Sequence, residues 1–85
     1  MIVKRPPVMD QPQVGKLIVE LRVLMGLTQE QFAAELGVTL SSISRWERGI
    51  SRLSPLAMQK VEEMLRSTGA HGEKLLVKYL PNENN

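Results

Sequence analysis

The chain has no cysteine and only one histidine in 85 residues. Disulfides, thiolate metal sites and a histidine-rich metal centre are excluded, and the composition suits a reducing cytosol. No apolar run approaches the ~18 residues that mark a membrane span. The opening MIVKRPPVMD has a basic pair but neither a long apolar stretch nor a small-residue cleavage site, so no signal peptide is expected. No internal repeat is present, and low complexity is confined to the tails. There is no strong excess of one charge either: eleven Lys and Arg against nine Asp and Glu leave a formal net charge of +2. The total says little about partners; the placement of the charges says more.

Catalytic signatures are missing too. No paired carboxylates, G-x-S-x-G, H-E-x-x-H or phosphate-binding glycine loop occurs, and His71, between Gly69 and Gly72, has no constellation around it. The chain is not expected to be an enzyme or to carry a cofactor. Its length allows one domain with one small core.

Residues 1–12, with Pro6, Pro7 and Pro12, read as an extended arm, in which Lys4 and Arg5 are more simply solvated than set against phosphate or a minor groove. A first helix is expected over about Gln13–Met25, with Val14, Leu17, Ile18, Leu21, Leu24 and Met25 as its buried stripe and Gly26 as its stop. Arg22 borders that stripe, and a charge so placed needs a partner. Thr28 and Gln31 form a T-x-x-Q capping box, Phe32, Ala33 and Leu36 follow at helical spacing, and Gly37 supplies a left-handed stop. Thr39 caps a third helix, over about 40–48, with Ile43 and Trp46 inward and Gly49 at its end. A lone tryptophan three residues after Ile43 reads as core, not as a stacking platform for bases. The link between the second and third helices is only Gly37 to Thr39, so they cross steeply, as in a helix-turn-helix.

Beyond this pair, Ile50–Leu53 reads as a loop, and Ser54 and Pro55 start a fourth helix that ends near Arg66–Thr68. Its apolar positions are Leu56, Met58, Val61, Met64 and Leu65, with Gln59, Lys60, Glu62 and Glu63 toward solvent. Gly69–Gly72 reads as a hinge. Glu73–Leu80 has the spacing of a short fifth helix, stopped by Pro81 before the tail NENN. Its apolar face either closes the core or enters a dimer contact; the spacing leaves both open.

With Ile43 and Trp46 inward, Leu40, Ser41, Ser44, Arg45 and Arg48 lie toward the other side of the third helix. Its N-terminal residues are the ones that reach base edges most readily. Arg45 is the best candidate for reading guanine through two bonds, Leu40 for packing on a thymine methyl, and Ser41 and Ser42 for bonding to bases or phosphates. Thr39 at the helix start joins this set, and Arg52 in the following loop is expected on phosphate. Gln29 and the exposed N–H groups of the second helix suit a phosphate as well.

The segment LRVLMGLTQEQFAAELGVTLSSISRWERG resembles the helix-turn-helix domain of the phage repressor and Cro type, the XRE family. Gly26-Leu27-Thr28-Gln29, Leu36-Gly37-Val38-Thr39 and Ile43-Ser44-Arg45-Trp46-Glu47-Arg48-Gly49 carry the likeness, within a match from about Val14 to Leu65. It implies an all-α, lambda-repressor-like helix-turn-helix domain of four to five helices, over 13–68, flanked by the 1–12 arm and a 69–85 C-terminal segment. It implies that Arg22 pairs with Glu47, tying the first helix to the third. Glu47 is the only acid between Thr39 and Arg52, so that pairing would leave Arg45, Arg48 and Arg52 on a purely basic face, the footprint of a phosphate-binding surface. It implies base contacts from the positions of Leu40, Ser41 and Arg45, and a Gln29 that both meets phosphate and supports the third helix. Several phage repressors have glutamine where Leu40 and Ser41 stand, so their operators do not transfer.

The function expected from this is sequence-specific binding of double-stranded DNA by a cytoplasmic transcriptional regulator, a repressor acting as a homodimer on a palindrome. No effector domain follows, so ligand sensing within the chain is not expected. Two alternatives stand beside it: an antitoxin that regulates its own operon, with the segment from Gly69 onward contacting a toxin protein, and a protein-interaction module that keeps the fold without binding DNA.

Overall fold

A computed structural model describes residues 11–79, with side chains from Gln13 onward. These residues form five helices and no strand: α1 Gln11–Leu24, α2 Gln29–Leu36, α3 Leu40–Glu47, α4 Pro55–Ser67 and α5 Ala70–Tyr79. The expectations for Lys4, Arg5, Leu80, Pro81 and the terminal NENN lie outside the described residues.

The expected caps form. Thr28 accepts from the Gln31 amide at 3.1 Å while the Gln31 side chain accepts from the Thr28 amide at 2.9 Å, closing the capping box. Gly37 ends α2 at φ +73°, a conformation costly for any residue with a Cβ. Ser54 caps α4 through the Ala57 amide, with Pro55 in the first turn. A cation completes the end of α2: Lys60 Nζ donates to the Leu36 carbonyl at 3.3 Å, so Lys60 is tied to α2 and not merely solvated.

The core draws on every helix. Val14, Leu17, Ile18 and Leu21 of α1 meet Phe32, Ala33 and Leu36 of α2, Ile43 and Trp46 of α3, Leu53, Ala57, Val61 and Leu65 around α4, and Tyr79 of α5. α1 lies between α3 and α5, and α4 lies against α5. Two expected core positions are misplaced. Leu24 is 37 % exposed and Leu56 is 62 % exposed. The α4 stripe runs through Ala57, Val61 and Leu65, spaced by four, and Leu56 falls one position off it.

Two boundaries also differ from the expectation. α1 begins at Gln11, so Gln11 and Pro12 are helical and not part of an extended arm; proline fits a first turn because that amide has no partner in the helix. The expected hinge over 69–72 is a single turn residue. Gly69 has φ +76°, and α5 starts at once with Ala70, His71 and Gly72 in its first turn. The reason is contact: a Cβ on Gly72 would stand 1.8 Å from both the Leu65 carbonyl oxygen and Thr68 Oγ1. Glycine is there because α5 folds back onto the end of α4 with no room for a side chain. The Tyr79 hydroxyl then donates to the Glu20 carboxylate, and Lys78 Nζ lies 3.4 Å from the same oxygen, fastening α5 to α1.

Candidate nucleic-acid interface

Thr39 sits in extended backbone at the N-cap of α3 and accepts from the Ser42 amide at 3.1 Å. The Thr39 and Ser42 hydroxyls are also 3.0 Å apart. Both are therefore engaged in building the helix start, and Ser42 is half-buried. Ile43 and Trp46 are buried, the tryptophan at 6 % exposure, so its ring is part of the core. Opposite them, Ser41, Arg45 and Arg48 are exposed and Ser44 is half-buried, as a period of 3.6 requires. Leu40 begins this face as a 46 % exposed leucine. Arg52 is exposed in the loop before α4, and Ile50 beside it is 61 % exposed. No ion pair among the described residues ties down Arg45, Arg48 or Arg52.

The one acid of this segment is turned inward. Arg22 Nε donates to Glu47 Oε2 at 2.7 Å and Nη2 to Oε1 at 3.3 Å, a two-pronged contact that suits a planar guanidinium. Arg22 Nη1 donates to the Leu27 carbonyl at 3.1 Å. Gln29 Nε2 donates to Glu47 Oε1 at 2.8 Å. The last residue of α3 is thus held from α1 and from the first turn of α2, with the Glu47 side chain only 8 % exposed. The half-buried Gln29 amide is committed to this clamp, so what the start of α2 offers outward is its backbone N–H groups beside the exposed Glu30.

Sequence reasoning assigns no role to Gly15. It is buried within α1, and a Cβ there would stand 2.8 Å from the Glu47 carbonyl oxygen and 2.9 Å from that of Trp46. Its one sequence signal is its type, since glycine inside a helix costs roughly 0.5–1 kcal/mol against alanine and often marks a close approach of backbones.

Sequence comparison gives independent information on the same segment. A helix-turn-helix family model matches residues 18–70, more than half of the chain. Two curated relatives, each named an uncharacterized HTH-type transcriptional regulator, come from Sinorhizobium medicae (strain WSM419) and Rhizobium meliloti (strain 1021). Each is 31% identical over 62 residues, which is 73% of this chain and 44% of the relative. The chain thus matches less than half the length of these relatives. No solved structure matches it. No described helix is long and apolar enough to cross a membrane. Five helices without a strand among the described residues, a tight α2–α3 turn and the matched span agree: the chain belongs to the helix-turn-helix family, of the XRE type.

Proposed function

We propose that the protein is a transcriptional regulator that binds double-stranded DNA by laying α3 in the major groove. One observation carries this. The outward side of α3 and its following loop bears Arg45, Arg48 and Arg52, all exposed, while the sole acid among residues 39–52 is neutralised inward by Arg22. Such a face attracts phosphate and repels nothing on approach. Arg45, one turn after Ser41, is the base reader, suited to guanine O6 and N7; exposed Leu40 suits a thymine methyl. Arg48 and Arg52 meet phosphate. Thr39, Ser42 and Ser44 line the approach, with the hydroxyls of Thr39 and Ser42 already occupied in the cap. Gln29 acts chiefly through Glu47.

The regulator acts as a repressor and a homodimer, placing two α3 helices about 34 Å apart on the half-sites of a palindrome. The names of the relatives support transcriptional regulation. Under the antitoxin alternative a toxin would meet the outward side of α5, where Val77 is exposed, since Gly72 and Tyr79 are buried. Selection of bound duplexes from a random pool tests the proposal. A recovered palindrome with guanine at one position of each half-site is expected. Enrichment of no sequence, with weak binding indifferent to salt, would leave the protein-interaction alternative standing.

A further inference from the structure

We propose that Gly15, on the far side of α3 from the DNA, is a positioning residue that sets the pose of the recognition helix and hence its sequence preference. The inference rests on the major-groove reading above.

The two ends of α3 are held by different means. At its start, the 37–39 turn and the Thr39 cap fix where the chain enters, and the Ile43 side chain packs the middle into the core. At its end, the backbone itself is the contact. The carbonyl oxygens of Trp46 and Glu47 lie over Gly15 so closely that a Cβ would meet them at 2.9 and 2.8 Å, and the Glu47 carbonyl carbon at 3.2 Å. Neither partner is a side chain that can turn away. From the other direction, Arg22 and Gln29 draw the Glu47 carboxylate inward at 2.7 and 2.8 Å. The end of α3 is therefore pulled onto α1 until backbone meets backbone, and the absence of a side chain at Gly15 decides where it stops.

A methyl group at residue 15 would have to push the Glu47 carbonyl outward by roughly 0.6 Å to reach ordinary contact at 3.4 Å. The helix would tilt about its buried Ile43. A constellation that reads chemistry with direction must be held within about 0.5 Å and 10–20°. The two-bond contact of Arg45 with a guanine edge falls under that limit. Phosphate contacts from Arg48 and Arg52 are more tolerant, because a flexible side chain can follow a phosphate through a small shift. Gly15→Ala should thus weaken reading more than clinging.

The test compares affinity for the duplex selected by wild type with affinity for a scrambled duplex. Because both are measured on the same folded fraction, their ratio is insensitive to lost stability. Val61→Ala, a buried α4 position away from α3, serves as the stability control. The expected result is a preference ratio at least tenfold lower in Gly15→Ala, an unchanged salt slope on the scrambled duplex, and a wild-type ratio in Val61→Ala. If Gly15→Ala does not fold unaided, both variants are measured in trimethylamine oxide, which favours the compact state. A wild-type ratio in Gly15→Ala, or a chain that stays unfolded in the osmolyte, overturns the positioning role. A wild type without preference overturns this inference and the major-groove reading together; a wild type with preference and an unaffected variant overturns this inference alone.

Discussion

Arg22 and Glu47, 25 residues apart in the chain, share two hydrogen bonds, at 2.7 and 3.3 Å, across the junction of α1 and α3. The pair is mostly shielded, with side-chain exposures of 19 % and 8 %. Removing one partner of a buried pair costs about 3–5 kcal/mol, because the other charge stays behind without its counter-ion. Arg22→Met should fall near the lower end, since the guanidinium is partly solvated and Gln29 still bonds to Glu47. A domain this size loses roughly 4–8 °C in Tm per kcal/mol. Thermal melts of Arg22→Met, Glu47→Gln and the double variant check it. Expected are drops well above 10 °C for Arg22→Met, with the double variant less than additive; a drop of a degree or two would show the pair to be dispensable.

The arginines of the outer face should separate into two behaviours. Arg45→Ala should cost about 1–3 kcal/mol on the preferred duplex and relax preference at one base pair. Arg48→Gln and Arg52→Gln should each make log affinity against log salt shallower by about one unit, leaving preference unchanged, because phosphates carry no sequence information. Titrations of preferred and scrambled duplexes across a salt series distinguish these outcomes. Two variants that keep the wild-type slope would move the DNA to another face of the molecule.

Acid and alkali should both loosen α5. The hydrogen bond from Tyr79 holds the Glu20 carboxyl below its ordinary value of 4.5, with Lys78 assisting. The same bond to Glu20 pushes the Tyr79 hydroxyl above its ordinary 10.0, and burial adds to this. A carboxylate depressed in the folded state contributes stability above its unfolded value and loses it as pH falls through the folded one. A hydroxyl raised in the folded state contributes below its unfolded value and loses it as pH rises through the folded one. Tyr79→Phe should therefore cost about 1–2 kcal/mol at neutral pH. It should also flatten the stability profile below about pH 4.5 and above about pH 10. Urea melts from pH 3 to 11 measure this; parallel profiles for wild type and variant would exclude the clasp as the source.

Gly69 and Gly72, three residues apart, should respond differently to alanine. At Gly69 nothing lies within 4 Å of a Cβ, and the cost is that of a left-handed backbone at φ +76°, about 1–2 kcal/mol. At Gly72 the added carbon would overlap the Leu65 carbonyl oxygen, so α5 must lift from α4; overpacking of this kind costs about 3 kcal/mol or more. Hydrogen exchange should show α5 amides losing protection in Gly72→Ala and keeping it in Gly69→Ala. Equal protection in the two variants would mean that α5 tolerates a side chain at the crossing.

The sequence by itself determined what is local. Thr28, Thr39 and Ser54 cap, and Gly37 stops, through bonds that span three or four residues, and helical spacing marks Ile43 and Trp46 as the inner side of α3. Such features depend on neighbours in the chain, and a string of letters records neighbours. The pairing of Arg22 with Glu47 follows from resemblance to a family, since no local spacing joins residues 25 apart. The tertiary structure alone decided the rest. Lys60 reaches back to the end of α2, Tyr79 closes onto Glu20, and two glycines serve where helices touch backbone to backbone; for Gln29, whose support of the third helix the resemblance implies, the structure supplies the partner, Glu47, 18 residues on. Which helix comes to lie against a given residue depends on the packing of the whole core, which no local spacing records. Gly15 and Gly72 therefore look like weak points of a helix and a hinge until the partner helix lies against them.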